Sequence, residues 1–169
     1  NFNAKLSAVL GKVKGAHFQL IDDFVLHLSS LRMLKGEVMV LKEMRYINLD
    51  ALAEFEKEID TQTEHLSRRC IEFLLQDEAL KPYQVRVEEK QKQIESITKV
   101  VDGRALQAEM DQIGTDMEML IEIVNNLQIE DATQSTKIID NIALIFSTLN
   151  QAKAGIKNKI DSLGINEAT

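Results

Sequence analysis

Tryptophan is missing from this 169-residue chain, aromatic residues make up only 5% of it, and it has one proline and seven glycines. That scarcity excludes the turn-rich, aromatic-rich composition of sandwiches and barrels, and no sheet is expected. A lone cysteine cannot form an internal disulfide, which excludes a stapled secreted scaffold and fits a reducing compartment. Long apolar runs are also lacking. The densest, residues 142 to 146, holds five residues, against the ~20 that a membrane-spanning helix requires. Positive charge is in deficit: 20 Lys and Arg face 27 Asp and Glu, for a net charge of -7. A dedicated nucleic-acid binder usually carries a basic footprint, so this balance disfavours that class and favours solubility. The start at Asn1, with LSAVLGKVKGA in place of a continuous apolar signal core, reads as a segment excised from a longer cytoplasmic protein.

Leu, Ile, Glu, Lys, Ala and Gln dominate instead, and they are arranged in helical seams. In the first half Leu10, Phe24, Leu31, Val38, Leu52, Ile59, Leu66 and Phe73 share one sevenfold register. A second row, Leu6, Val13, Leu20, Leu34, Leu41 and Phe55, lies three or four residues away, so the two rows make an a/d seam. The register continues past Asn48, a candidate N-cap. Residues 3 to 76 are therefore expected to be one helix of about 110 Å or two collinear ones, 3–46 and 49–76. The only proline, Pro82, falls near the midpoint, and a reversal is expected at 77–82 because proline suits a first helical turn and not an interior. Further helices are expected at 82–101, 104–127 and 132–163. Asp102-Gly103 marks a break where the seam changes phase, and Gly164 marks a stop. The expected fold is all-α: one segment over 1–169, folded as an elongated antiparallel coiled-coil hairpin or a bundle of about five helices. Ile21, Val25, Leu28, Val9 and Phe146 broaden its seam.

Each group that could carry chemistry has a plainer structural reading. Cys70 stands near His65 and after Arg68-Arg69, where a thiol could be activated. A separation of five residues puts His65 on another helical face, so Cys70 reads as a small buried hydrophobe. Asp23 and His27 are four apart, a spacing that could supply two metal ligands. No second pair accompanies them, so an ion pair or a tolerated seam histidine is expected, and His17 reads likewise. Gly11-Lys-Val-Lys-Gly15 has the wrong spacing for a phosphate-binding loop. The expectation is no catalysis, no cofactor and no metal in this segment.

IEDATQST, residues 129 to 136, gathers carboxylates and hydroxyls between two apolar stretches. Asp131 with Gln134 three residues later is a variant capping box for the last helix. Charge is also unevenly spread. Residues 1 to 21 hold Lys5, Lys12 and Lys14 with no acid, residues 153 to 159 add Lys153, Lys157 and Lys159, and residues 105 to 136 contain no Lys or Arg. These are ordinarily solvated helix faces. The sharper reading makes the six lysines an interaction patch whose ends meet in a hairpin, facing nucleic acid or an acidic domain.

The runs LIEIVNNLQIEDATQSTKIIDNIALIFSTLNQAKAGIKNK, HLSRRCIEFLLQDEALKPY and LRMLKGEVMVLKEMRYINL together resemble the internal helical region of large bacterial DNA repair ATPases. In that family coiled-coil segments accompany an AAA-type ATPase module. The resemblance covers most of the chain and implies that nucleotide binding lies elsewhere in the full-length protein. The function it implies is a non-catalytic spacer or interaction arm, with other domains of the same chain as partners and a homo-oligomer through the seam as a further option. The alternative is a protein- or DNA-binding helical module that uses its charged flanks. No membrane partner is expected.

Overall fold

The computed structural model describes residues 4, 7, 8, 11, 20–44, 48–127, 129 and 131–168. Lys5, Lys12, Lys14 and His17, and the seam positions Leu6, Val9, Leu10 and Val13, lie outside the described residues. The fold is all-α, with five helices and no strand among the described residues: α1 (Ile21–Leu41), α2 (Leu49–Leu74), α3 (Lys81–Gln93), α4 (Val100–Asn126) and α5 (Ala132–Ala168). The chain divides into two compact units, Asn1–Gln76 and Asp77–Thr169.

In the first unit α1 does not run on from a helix beginning near residue 3. Leu20 is extended, with φ -124° and ψ 153°. The Asp23 carboxylate accepts from the Leu20 N–H at 3.1 Å, half of a capping box, and Asp22 and Asp23 sit at the positive end of the helix dipole. Asn48 caps α2 as expected, its side chain accepting from the Ala51 N–H at 3.1 Å. The two helices are antiparallel rather than collinear. Phe24 meets Phe73 at a ring-centroid distance of 5.2 Å, Lys35 reaches Asp60, and Lys42 reaches Glu56. The heptad register persists across the connection because each helix offers its stripe to the other, which a periodic sequence cannot distinguish from one long helix. Phe24, Leu31, Val38, Leu52, Ile59 and Leu66 are all buried, with Ile21, Val25, Leu28 and Leu34 widening the seam. Leu20 is half exposed, because it caps the helix instead of joining the second row.

Helix α2 ends at Leu74, two residues before the expected limit, and Glu78 then takes φ 64°. This left-handed conformation is costly for a residue with a Cβ, by roughly 1–2 kcal/mol. Lys81 N–H donates to the Glu78 carbonyl at 3.0 Å, and Pro82 sits in the first turn of α3, where its missing N–H is harmless.

The second unit is an up-down-up bundle. Tyr83 meets Asp116 and Lys90 meets Glu109, so α3 and α4 are antiparallel. Asp111 meets Lys153, and Gly103 lies against Ile160, so α4 and α5 are antiparallel too. Helix α3 stops at Gln93 rather than 101, passing through a 3-10 turn (Ile94–Ser96) into extended Ile97. The expected break at Asp102-Gly103 therefore falls upstream, and α4 starts at Val100. Gly103 is helical and buried because α5 comes so close: a Cβ there would lie 2.8 Å from Ile160 Cγ1. Val101, expected in the seam, is exposed, since it stands five residues, or about 140°, from buried Leu106. Gly164 does not stop α5, which continues to Ala168, and no glycine among the described residues has positive φ. Tyr83, Val87, Leu106, Met110, Ile113, Met117, Leu120 and Val124 form the core with Ile138, Ile142, Ile145, Leu149, Ala152 and Ile156.

Candidate functional site

The densest polar constellation in the first unit spans the α1–α2 interface. Lys35 Nζ lies 3.1 Å from Glu56 Oε1 and 2.7 Å from Asp60 Oδ1, while Lys42 pairs with the other Glu56 oxygen. Burial by itself works against the charge on Lys35. The hydrogen bonds to Asp60 and Glu56 outweigh it and hold the ammonium above its ordinary value of 10.5. Glu56 is held below its ordinary value of 4.5 by the bonds from Lys42 first and Lys35 second. The four groups neutralise one another, and their chemistry is that of an interhelix clamp.

The sequence candidates for catalysis are engaged in structural work. Cys70 is wholly buried, and burial pushes its thiol up to about 12, the opposite of an activated nucleophile. His65 faces solvent, and Arg68 pairs with Glu64 one turn away at 2.9 Å. Asp23 and His27 both serve helix α1: the carboxylate caps it, and His27 Nδ1 is 2.8 Å from the Asp23 carbonyl. Among the described residues no group of three His, Cys, Asp or Glu is placed to hold a metal ion. Nor is any helix there long and apolar enough to cross a membrane.

In the second unit three acids of the acid-rich stretch, Glu109, Asp111 and Asp116, reach side chains of neighbouring helices, while Glu118 and Glu122 are exposed. The buried Tyr83 hydroxyl donates to Asp116 Oδ2 at 3.0 Å, Gln112 donates to the other oxygen at 2.9 Å, and the Arg86 guanidinium lies 4.7 Å from the Tyr83 ring centre. Glu109 takes Lys90 at 2.9 Å. Asp111 takes Lys153 at 3.4 Å, a pair that bridges α4 and α5. Gly114 makes room for it, since a Cβ there would be 3.1 Å from Lys153 Nζ. Lys157 is exposed and Lys159 half-buried. Six residues, or about 240° around the helix, separate Lys153 from Lys159, so the three do not form one face. The meeting of these lysines with Lys5, Lys12 and Lys14 involves residues outside those described.

IEDATQST is a helix start. Asp131 Oδ1 accepts from the Thr133 N–H at 2.9 Å and the Gln134 N–H at 3.4 Å, and Gln134 takes part through its backbone. The open groove beside it is lined by Thr133, Thr136, Lys137, Asp140 and Asn141, and Lys137 already pairs with Asp77 at 3.6 Å. Sequence reasoning did not anticipate the Lys35–Glu56–Asp60 clamp or the Tyr83–Asp116 bond. The only signal for the first was the opposite charge of residues flanking two seams, which is not specific without knowing the fold-back.

No curated protein and no solved structure matches the chain. A family model does match, over residues 78–162: the Domain of unknown function (DUF7902). Those limits fall within the second unit, from the left-handed Glu78 to the penultimate turns of α5, and the match covers half of the sequence. The three-helix bundle built on α3, α4 and α5 is thus the part the family model describes, and the chain belongs to the DUF7902 family.

Proposed function

We propose that this chain is a non-catalytic helical spacer or interaction arm of a larger DNA-repair-associated ATPase, positioning domains or mediating association. The observation that carries the non-catalytic part is the use to which its reactive groups are put. Cys70 is sealed in the core, Asp23 and Asp131 close helix ends, and the carboxylates of α2 and α4 hold lysines across helix interfaces. Both units spend their apolar seams on helix packing, which suits rigid positioning. The link to ATPases rests on the sequence resemblance of residues 31–49, 65–83 and 120–159.

The test is biochemical and genetic. The 169-residue chain should show no nucleotide hydrolysis, and the gene product that contains it should carry its nucleotide-binding module outside these residues. Replacing the segment by a flexible linker in that product should leave hydrolysis in place and abolish the activity that depends on domain placement. Turnover of ATP by the 169-residue chain alone, or a product with no nucleotide-binding module, would overturn the reading.

A further inference from the structure

Helix α1 is apolar on two opposite faces. One carries Phe24, Leu28 and Leu31 and is buried. The other carries Leu26, Met33 and Val40 at sevenfold spacing, and these are 63%, 68% and 63% exposed. Met33 is nine residues from Phe24, so at about 100° per residue it points away from the face that meets α2. A helix with apolar residues all round is ordinarily enclosed on both sides.

A second, independent observation concerns Gly36. A mid-helix glycine costs roughly 1 kcal/mol relative to alanine, yet a Cβ at Gly36 would meet nothing within 4 Å. Packing inside the chain therefore does not explain it. Close approach by another helix does, because Gly36 and Ser29 occupy the d positions between the a positions Leu26, Met33 and Val40.

We propose that this outer face of α1 joins two copies of the chain in a parallel helix pair. The occupant is identified by charge. In that register Arg32 falls at g and Glu37 at the following e′, five residues on in the same direction, so each Arg32 meets Glu37 of an identical parallel helix. An antiparallel copy would not place them together. Both side chains also interact within their own chain. They therefore set the register while the a-position side chains supply the affinity. The stripe lies on the face of α1 opposite the one that packs on α2. The inference names the partner and the face for the association role proposed above, and it rests on that reading.

The 169-residue chain should show a concentration-dependent dimer in sedimentation equilibrium. Met33→Glu, present twice per dimer, should weaken it about 100-fold or more and leave helix content by circular dichroism unchanged. Direction is read from cysteines introduced in a Cys70→Ala background. Leu26→Cys alone and Val40→Cys alone should each cross-link with themselves, and a mixture of the two should give no mixed disulfide. A monomer at all concentrations, a dimer indifferent to Met33→Glu, or predominant 26–40′ cross-linking would each overturn the proposal. If Leu26→Cys perturbs folding, Val40→Cys with the Met33→Glu dissociation constant decides the same question. A dimer formed elsewhere on the chain refutes this face and leaves the association role standing, which the linker replacement tests separately.

Discussion

Replacing Tyr83 by Phe removes one oxygen from the core of the second unit and leaves its shape intact. Tyr83 is 2% exposed, and its hydroxyl donates to Asp116 at 3.0 Å. A hydrogen bond to a charged group contributes roughly 1.5–3 kcal/mol net when fully enclosed. Asp116 is only half-buried and keeps the 2.9 Å bond from Gln112, so the expected loss is about 1–1.5 kcal/mol, at or just below the lower end of that range. For a unit of this size that corresponds to a midpoint lowered by about 4–12 °C. The ring and its contact with Arg86 persist in the Tyr83→Phe variant, so the effect isolates the hydroxyl. Thermal unfolding followed by far-UV circular dichroism gives the magnitude, and hydrogen exchange at α4 amides locates it. A double-mutant cycle with Asp116→Ala separates the pair from its surroundings and should return most of the single-mutant loss as coupling. A coupling below about 0.3 kcal/mol, within the scatter for independent sites, would refute the assignment of Tyr83–Asp116 as a pin between α3 and α4.

The Asp131→Ala change should cost about 1 kcal/mol by loss of the α5 cap, whereas Gln134→Ala should cost little because its backbone N–H makes the bond. The stability that Glu56 contributes should be full above its ordinary value of 4.5 and decline as pH falls through the lowered folded value, because the unfolded state binds the proton first. Lys35 behaves in the opposite sense: its contribution is full below 10.5 and is lost as pH rises through the raised folded value. Acid titration of Glu56→Gln should therefore show a shallower stability slope than the parent. Cys70, buried and pushed up to about 12, should react with a thiol reagent only at the rate of local opening, so fast stoichiometric labelling of the folded chain near neutral pH would contradict its placement. At Glu78, substitution by Gly should stabilise by about 1 kcal/mol, since it removes the Cβ from a left-handed residue.

Helix content and most core positions were legible because burial follows the period of the apolar residues. Ile138, Ile142, Leu149 and Ile156 are all fully buried, and Asn48 and Asp131 cap the helices they precede. The direction of the helices was not legible. A heptad stripe is compatible both with running on through residues 45–47 and with folding back, since either keeps the same residues dry. The two glycine expectations failed for related reasons. Gly103 and Gly164 read as punctuation, but both are helical, and the former is there because Ile160 needs the space a side chain would fill. The real break, Ile97–Lys99, has no glycine or proline. The Lys153–Asp111 pair was not legible either, because the two residues come from different helices and the pairing depends on the packed register and not on sequence spacing.

The left-handed Glu78 bears on how the family module relates to whatever precedes it. The match to DUF7902 begins at this residue, where the α2 helix has ended and the first turn of α3 has yet to form. The module carries its own entrance: the Glu78 carbonyl accepts from the Lys81 N–H, and Pro82 opens the helix. Its core runs through Tyr83, Val87 and the seams of α4 and α5, all downstream of that point. The start of the bundle's first helix is thus set by residues that the family model itself covers, Glu78 to Pro82, and by none before them.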